Sequence, residues 1–201
     1  MNRTNSPTPL PTPDAYWITP PAPFTMPANG RLLAGEYPSA KDAAEALAKL
    51  NSFLDSGITF FLDLTEAGEY NLRPYAAQVA QLAAARRPPV VITHRRRPIP
   101  DMGTPDPATM TLILAALDTA LAQGETVYVH CFGGIGRTGT VIGCWLARHG
   151  LTGQQALSQI AAWRADTPDG WKQSPETAVQ RQLVLDWSVL GGETSHTEIM
   201  G

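Results

Sequence analysis

Cysteine is scarce in this chain, with two among 201 residues, Cys131 and Cys144. That excludes a small secreted scaffold stapled by disulfides and favours a reducing compartment, where thiols stay free for chemistry or packing. A surplus of basic charge is missing too. Fifteen Lys and Arg stand against eighteen Asp and Glu, a net charge of −3, and the pI is about 5.8. This excludes the basic domain or stripe of a nucleic-acid binder. No apolar run approaches the ~20 residues that span a bilayer, and none near the N-terminus has the form of a signal peptide. Internal repeats are absent. The expectation is a soluble, cytoplasmic protein with no nucleic-acid partner and no membrane span. What is present, 43% hydrophobic and 16% charged residues, suits one globular domain with a sizeable core.

Proline is concentrated at one end. Eight of the eighteen lie between Pro7 and Pro27, so residues 1–29 read as an extended or disordered leader. Tyr16-Trp17-Ile18 interrupts it with apolar bulk that could dock on the domain. Residues 191–201 read as a disordered tail, leaving 30–190 as the folded domain.

Within that domain helical and strand-like segments alternate. Residues 31–34, 58–64, 90–93 and 126–130 are apolar and short enough for strands. A helix is expected over 39–56, with Ala43, Leu47, Leu50 and Leu54 on its apolar face and Gly57 as its stop. Another covers 75–87 and ends at Pro88-Pro89. A third opens at Asp106-Pro107, aspartate as cap and proline at the first helical position, with Met110, Ile113, Leu114, Leu117 and Leu121 inward. Helices follow over 137–149, 152–165 and 175–190. Strands separated by helices predict an α/β fold: one parallel or mostly parallel sheet of four to five strands, helices on both faces. Ligands bind such sheets at the carboxyl ends of the strands.

The chemistry concentrates at one such end. Residues 130–140 read His-Cys-Phe-Gly-Gly-Ile-Gly-Arg-Thr-Gly-Thr. Here a buried strand runs into a helix through a loop holding Gly133, Gly134 and Gly136. Glycine admits backbone angles closed to other residues, so successive N–H groups can converge on one point. With the positive end of the helix dipole they make an anion site. Its wall is Phe132, Gly133, Gly134, Ile135, Gly136 and Arg137, and Arg137 offers a planar fork for two phosphate oxygens. The same field favours the thiolate form of Cys131, the form that attacks. Thr138 sits where a hydroxyl can donate to the departing thiolate. Cys144, inside the next helix, reads as a small packing residue.

Two alternatives bear on this loop. Gly134-Ile-Gly136-Arg-Thr-Gly139 also fits the dinucleotide pattern G-x-G-x-x-G, but that motif needs a following strand with an acidic end about 20 residues on. Residues 153–157 read as helix instead. His130 could act as a proton donor, but as a strand residue it should face away from its neighbour. A structural role, holding the cysteine's geometry, is expected of it.

The leaving alcohol needs an acid. Asp106 is accounted for as a helix cap and Asp63 as a turn residue. Asp101, in Pro98-Ile-Pro-Asp101-Met-Gly-Thr-Pro105, follows the 90–93 strand at the same sheet edge and has no structural task, so it is the expected acid. Arg95, Arg96 and Arg97 read either as a solvated strand end or as a basic rim steering phosphorylated substrates.

His-Cys-x5-Arg-Thr resembles the signature of the protein tyrosine phosphatase superfamily, in its dual-specificity branch. Ile99-Pro-Asp101-Met-Gly-Thr-Pro-Asp106 and Leu32-Leu-Ala-Gly35 are similar to segments of cyclin-dependent kinase-associated phosphatases. The resemblance implies Cys131 as nucleophile, Arg137 as phosphate clamp, Asp101 as general acid and Thr138 as helper in thiolate release. It implies that no metal or organic cofactor takes part. Tyrosine-specific members carry two glutamines, four apart, that position the hydrolytic water. The matching positions here are Glu176 and Gln180, so the first is missing, as in many dual-specificity members. The loop lacks the lysines usual in inositol-lipid phosphatases, which favours a phosphorylated protein or peptide as substrate. The alternatives are a phosphoinositide substrate, or a pseudo-phosphatase that binds phosphoproteins without turnover. Intact cysteine, arginine and aspartate oppose the latter.

Overall fold

The computed structural model describes residues 9–22 and 24–193. Five strands form one sheet in the order β1-β2-β5-β3-β4: β1 (Tyr16–Ile18), β2 (Arg31–Gly35), β3 (Phe60–Asp63), β4 (Thr93–Arg96) and β5 (Thr126–His130). β2, β5, β3 and β4 run parallel, and β1 pairs antiparallel with β2. The expected α/β class and mostly parallel sheet are what the chain adopts.

Period-2 alternation divides the core in two. Leu32, Ala34, Leu62, Val127 and Val129 face one way. There they meet α3 (Pro107–Ala122), α4 (Gly136–Arg148), α5 (Gly153–Arg164) and α6 (Ala178–Glu193). Leu33, Phe61 and Tyr128 face the other way, against α1 (Ala43–Asp55) and α2 (Ala76–Ala84). The α4 helix is buried from Gly136 to Ala147. Its close crossing with α6 needs Gly143, where a Cβ would stand 2.7 Å from Val184. Caps set the helix starts. The Asp106 carboxylate accepts from Thr109 N at 2.8 Å, and Thr152 makes a reciprocal capping box with Gln155.

Several expectations need correction. The helix expected from 39 begins at Ala43, because the Asp42 side chain accepts from Ala44 N and Glu45 N and caps it there. Its buried face is Ala46, Leu50 and Phe53 rather than Ala43, Leu47 and Leu54. The strand expected over 90–93 is β4, and it starts where that range ends. Val91 is 85% exposed, while Thr93 to Arg96 pair with Phe60 to Asp63. The leader is not wholly extended or disordered: Tyr16-Trp17-Ile18 docks, as its apolar bulk allows, and forms β1, with Tyr16 and Ile18 buried. At the other end α6 continues to Glu193. Of the expected tail, 194–201 lie outside the described residues.

Candidate active site

Three segments meet at the carboxyl edge of the sheet, because their strands are adjacent and parallel. Backbone bonds tie them together: Leu64 N to His130 O at 2.9 Å, Arg97 N to Asp63 O at 2.8 Å, and Ile99 N to Leu64 O at 3.1 Å. Tyr37 N adds a bond to Phe132 O at 2.8 Å.

The loop after β5 carries Cys131, buried, into the first turn of α4. Gly134 has φ +69° and lies against Gly35, whose carbonyl carbon would be 2.4 Å from an added Cβ. Both facts require glycine there. At Gly136 an added Cβ would press on the Gln180 carboxamide at 3.0 Å, which would have to give by a few tenths of an ångström. Gly133 faces open space, and nothing in the structure demands it. Among the described residues, the N–H groups of 132–135 donate to no protein acceptor. With the start of α4 they form an anion cradle.

Arg137 is buried, with 2% of its side chain exposed. Its Nη1 and Nη2 donate to the two carboxylate oxygens of Glu69 at 2.6 and 2.5 Å. Nη1 also donates to Ile99 O at 3.2 Å. Burial alone would weaken the guanidinium's hold on its proton, but the Glu69 hydrogen bonds outweigh that and keep it charged. Asp101 Oδ1 lies 3.0 Å from Arg137 Nη2, and its Oδ2 accepts from the Tyr70 hydroxyl. Cys131, Arg137 and Asp101 thus line one cavity of about 300 Å³, with Phe132, Ile135 and Gln180 also in its walls.

The remaining expected residues fall as follows. His130 is fully buried between Tyr75 and the backbone. Burial holds the Tyr75 phenol well above its ordinary range, so the phenol donates to His130 Nε2 at 2.6 Å. That leaves Nδ1–H for Cys131 O at 3.2 Å. Burial also lowers His130 to about 4, so the ring is neutral and braces the cysteine's backbone. Thr138 Oγ is buried with no hydrogen-bond partner. Cys144 is buried, and burial pushes its thiol up. Asp106 is the helix cap expected of it.

Asp63, at the end of β3, does close a turn, its Oδ1 accepting from Thr65 N at 2.9 Å, but it also has a second task. It is fully buried and accepts from Thr65 Oγ1 at 2.6 Å, Arg96 Nη2 at 2.9 Å and His94 Nε2 at 3.2 Å. Burial pushes its carboxyl up, but the bonds from His94 and Thr65 prevail and hold it well below the carboxylate range. Arg96 is therefore a structural ion-pair partner rather than a solvated end or a steering rim. Gln180, fully buried, donates to Gly103 O at 3.0 Å and accepts from Thr177 N at 3.1 Å.

Glu69 and Tyr70 carry no sequence signature and were not expected at the site. They lie in a 3-10 turn, Glu69–Asn71, after β3. Tyr70 has φ +49° and Asn71 φ +54°, a left-handed conformation that asparagine tolerates but that costs a tyrosine roughly 1–2 kcal/mol. Their position was the available signal: every loop at the carboxyl edge of a parallel sheet is a candidate. The dinucleotide alternative fails here, because α4 is followed by α5 and α6 with no further strand among the described residues. Among those residues no cluster of three or more His, Cys, Asp or Glu could hold a metal ion, and no helix is long and apolar enough to cross a membrane.

The chain is similar to known proteins. A family model described as Swiss Army Knife protein, DSP-PTPase phosphatase domain, matches residues 22–184. Protein 067L of Invertebrate iridescent virus 3, a tyrosine phosphatase by name, is 35% identical over 144 residues, 69% of this chain and 52% of that protein. The chain thus spans about half the length of this curated relative. The crystal structure of kinase associated phosphatase superposes with a TM-score of 0.58 at 23% identity, covering 78% of this chain and 85% of that one. PTPMT1 in complex with PI(5)P gives a TM-score of 0.60 at 18% identity, covering 81% and 94%. The match over 22–184, on a sheet and loop of this form, places the chain in the DSP-PTPase phosphatase domain family.

Proposed function

We propose that this chain hydrolyses phosphate monoesters of proteins or peptides, at tyrosine and/or serine and threonine, through a phosphocysteine intermediate. The observation that carries the reading is the single cavity shared by Cys131, Arg137 and Asp101. The phosphate rests on the loop amides and the Arg137 guanidinium. Cys131 Sγ attacks phosphorus as the bond to the leaving oxygen breaks, and Asp101 passes its proton to that oxygen. Water then attacks phosphorus, the S–P bond breaks and Asp101 takes the water's proton. The free Thr138 hydroxyl donates to the departing thiolate. Gln180, the one retained glutamine, is held beside Gly136 and is suited to orient the water.

A protein substrate is supported by the loop interior, Phe132 to Gly136, which has no cation. Lys172 lines the cavity but is paired with Asp169 at 2.8 Å. Two unpaired cysteines suit a reducing, cytoplasmic setting. The test is a panel of phosphotyrosine and phosphothreonine peptides and a phosphoinositide, without added metal. Peptide turnover that vanadate blocks and Cys131→Ser abolishes is expected. Preference for the phosphoinositide would overturn the substrate, and turnover by Cys131→Ser would overturn the mechanism.

A further inference from the structure

Asp101 is held at both oxygens. Oδ1 forms the ion pair with Arg137 Nη2 at 3.0 Å, and Oδ2 accepts from the Tyr70 hydroxyl. The hydrogen bond to Asp101 raises the Tyr70 phenol, so Tyr70 keeps its proton and is the donor. Its ring packs on Phe132, the residue after the expected nucleophile, with centroids 5.0 Å apart and planes at 43°. Otherwise the side chain faces solvent, Tyr70 being 55% exposed. Core packing therefore does not explain an aromatic residue in a left-handed conformation. Strain of this kind persists where the surroundings impose it, and it collects at functional sites.

The same turn holds the other catalytic candidate, since Glu69, one residue earlier, grips Arg137 through both oxygens. A substrate phosphate bound to Arg137 competes with Asp101 for the guanidinium, because both are anions and Nη2 already serves Glu69. Once the phosphate has taken that ion pair, Tyr70 is the remaining side chain bonded to Asp101.

We propose that Tyr70 is a positioning residue: its hydroxyl holds Asp101 Oδ2 while the substrate phosphate displaces Oδ1 from Arg137, so that Oδ1 faces the leaving oxygen. The inference rests on the reading of Asp101 as proton donor. It makes Tyr70 matter most where the leaving group most needs a proton.

The test is kcat/KM for a series of aryl phosphates, from dinitrophenyl to phenyl, in the wild type, Tyr70→Phe, Asp101→Asn and the double variant. The phenylalanine keeps the ring on Phe132 and removes only the hydroxyl. A loss of about 10-fold is expected for phenyl phosphate, shrinking steadily as the leaving group becomes less basic. In the Asp101→Asn background Tyr70→Phe should add no further loss, as for two groups acting through one proton transfer. An equal loss across the series, no loss at all, or an additive loss in the double variant would overturn the proposal. If Asp101→Asn itself left the leaving-group dependence unchanged, the underlying reading of Asp101 would fail instead.

Discussion

The loop after β5 and the turn after β3 stand at the same edge of the sheet and face each other across Arg137, yet they are built in opposite ways. The 131–137 loop joins a central strand to an interior helix and is buried except at Phe132 and Gly133, and its shape is required at Gly134 by both φ and contact. The Glu69–Asn71 turn is short, its Tyr70 is largely exposed, and two non-glycine residues take left-handed angles. The first supplies the groups that would meet phosphate. The second supplies bonds to such groups, Glu69 to Arg137 and Tyr70 to Asp101 of the loop after β4. A cradle can be specified by local backbone chemistry and so leaves a motif. Aim is specified by tertiary contact and leaves none.

The sharpest way to test that division is to damage the cradle's fork. Arg137→Lys keeps the charge but loses the bidentate geometry toward phosphate and Glu69. A loss of about 10³-fold in kcat/KM is expected, about 4 kcal/mol, measured by steady-state hydrolysis of p-nitrophenyl phosphate. A near-normal rate would mean that the cradle needs only a cation.

The brace behind the cradle should show in stability rather than rate. Burial lowers His130 to about 4, below its ordinary value of roughly 6.5, so between these values the unfolded chain binds a proton that the folded chain does not. Its contribution is complete above about pH 6.5 and lost as pH falls toward 4, a total of about 3 kcal/mol. Denaturant unfolding across that window should show the slope, and His130→Gln should flatten it. Equal slopes in the two proteins would assign the pH dependence elsewhere.

The turn should give the smallest effect. Glu69→Gln leaves one donor facing the Arg137 guanidinium and loosens its orientation, with an expected loss of about 10-fold in kcat/KM. If the loss matched that of Arg137→Lys, the two regions would be one unit and the contrast would collapse.

What could be read from the chain follows the same line. The β5–loop–α4 unit was legible to within a residue, because a buried strand, three glycines and an interior helix are all local signals. Asp101 stands out in the sequence because its neighbours give it no structural task, unlike Asp106 with its proline, and it lines the cavity. Hydrophobicity marks Val90 to Ile92, whereas pairing with β3 selects Thr93 to Arg96, a polar edge strand. β1, three residues among prolines, is defined by its partner Leu32 to Ala34 and not by periodicity. The Asp63 turn is local, closed on Thr65, but its ion-pair task is hidden because His94 and Arg96 meet it only in the folded sheet. Glu69 and Tyr70 were hidden for that same reason.

The most direct test of the central claim is to trap the intermediate. Wild-type protein mixed with a radiolabelled phosphotyrosine peptide and quenched in acid within milliseconds should carry label on the peptide containing Cys131. Cys131→Ser should show no labelled thioester of phosphate and no turnover. Release of inorganic phosphate at an undiminished rate from Cys131→Ser, or label on another residue of the wild type, would contradict the account.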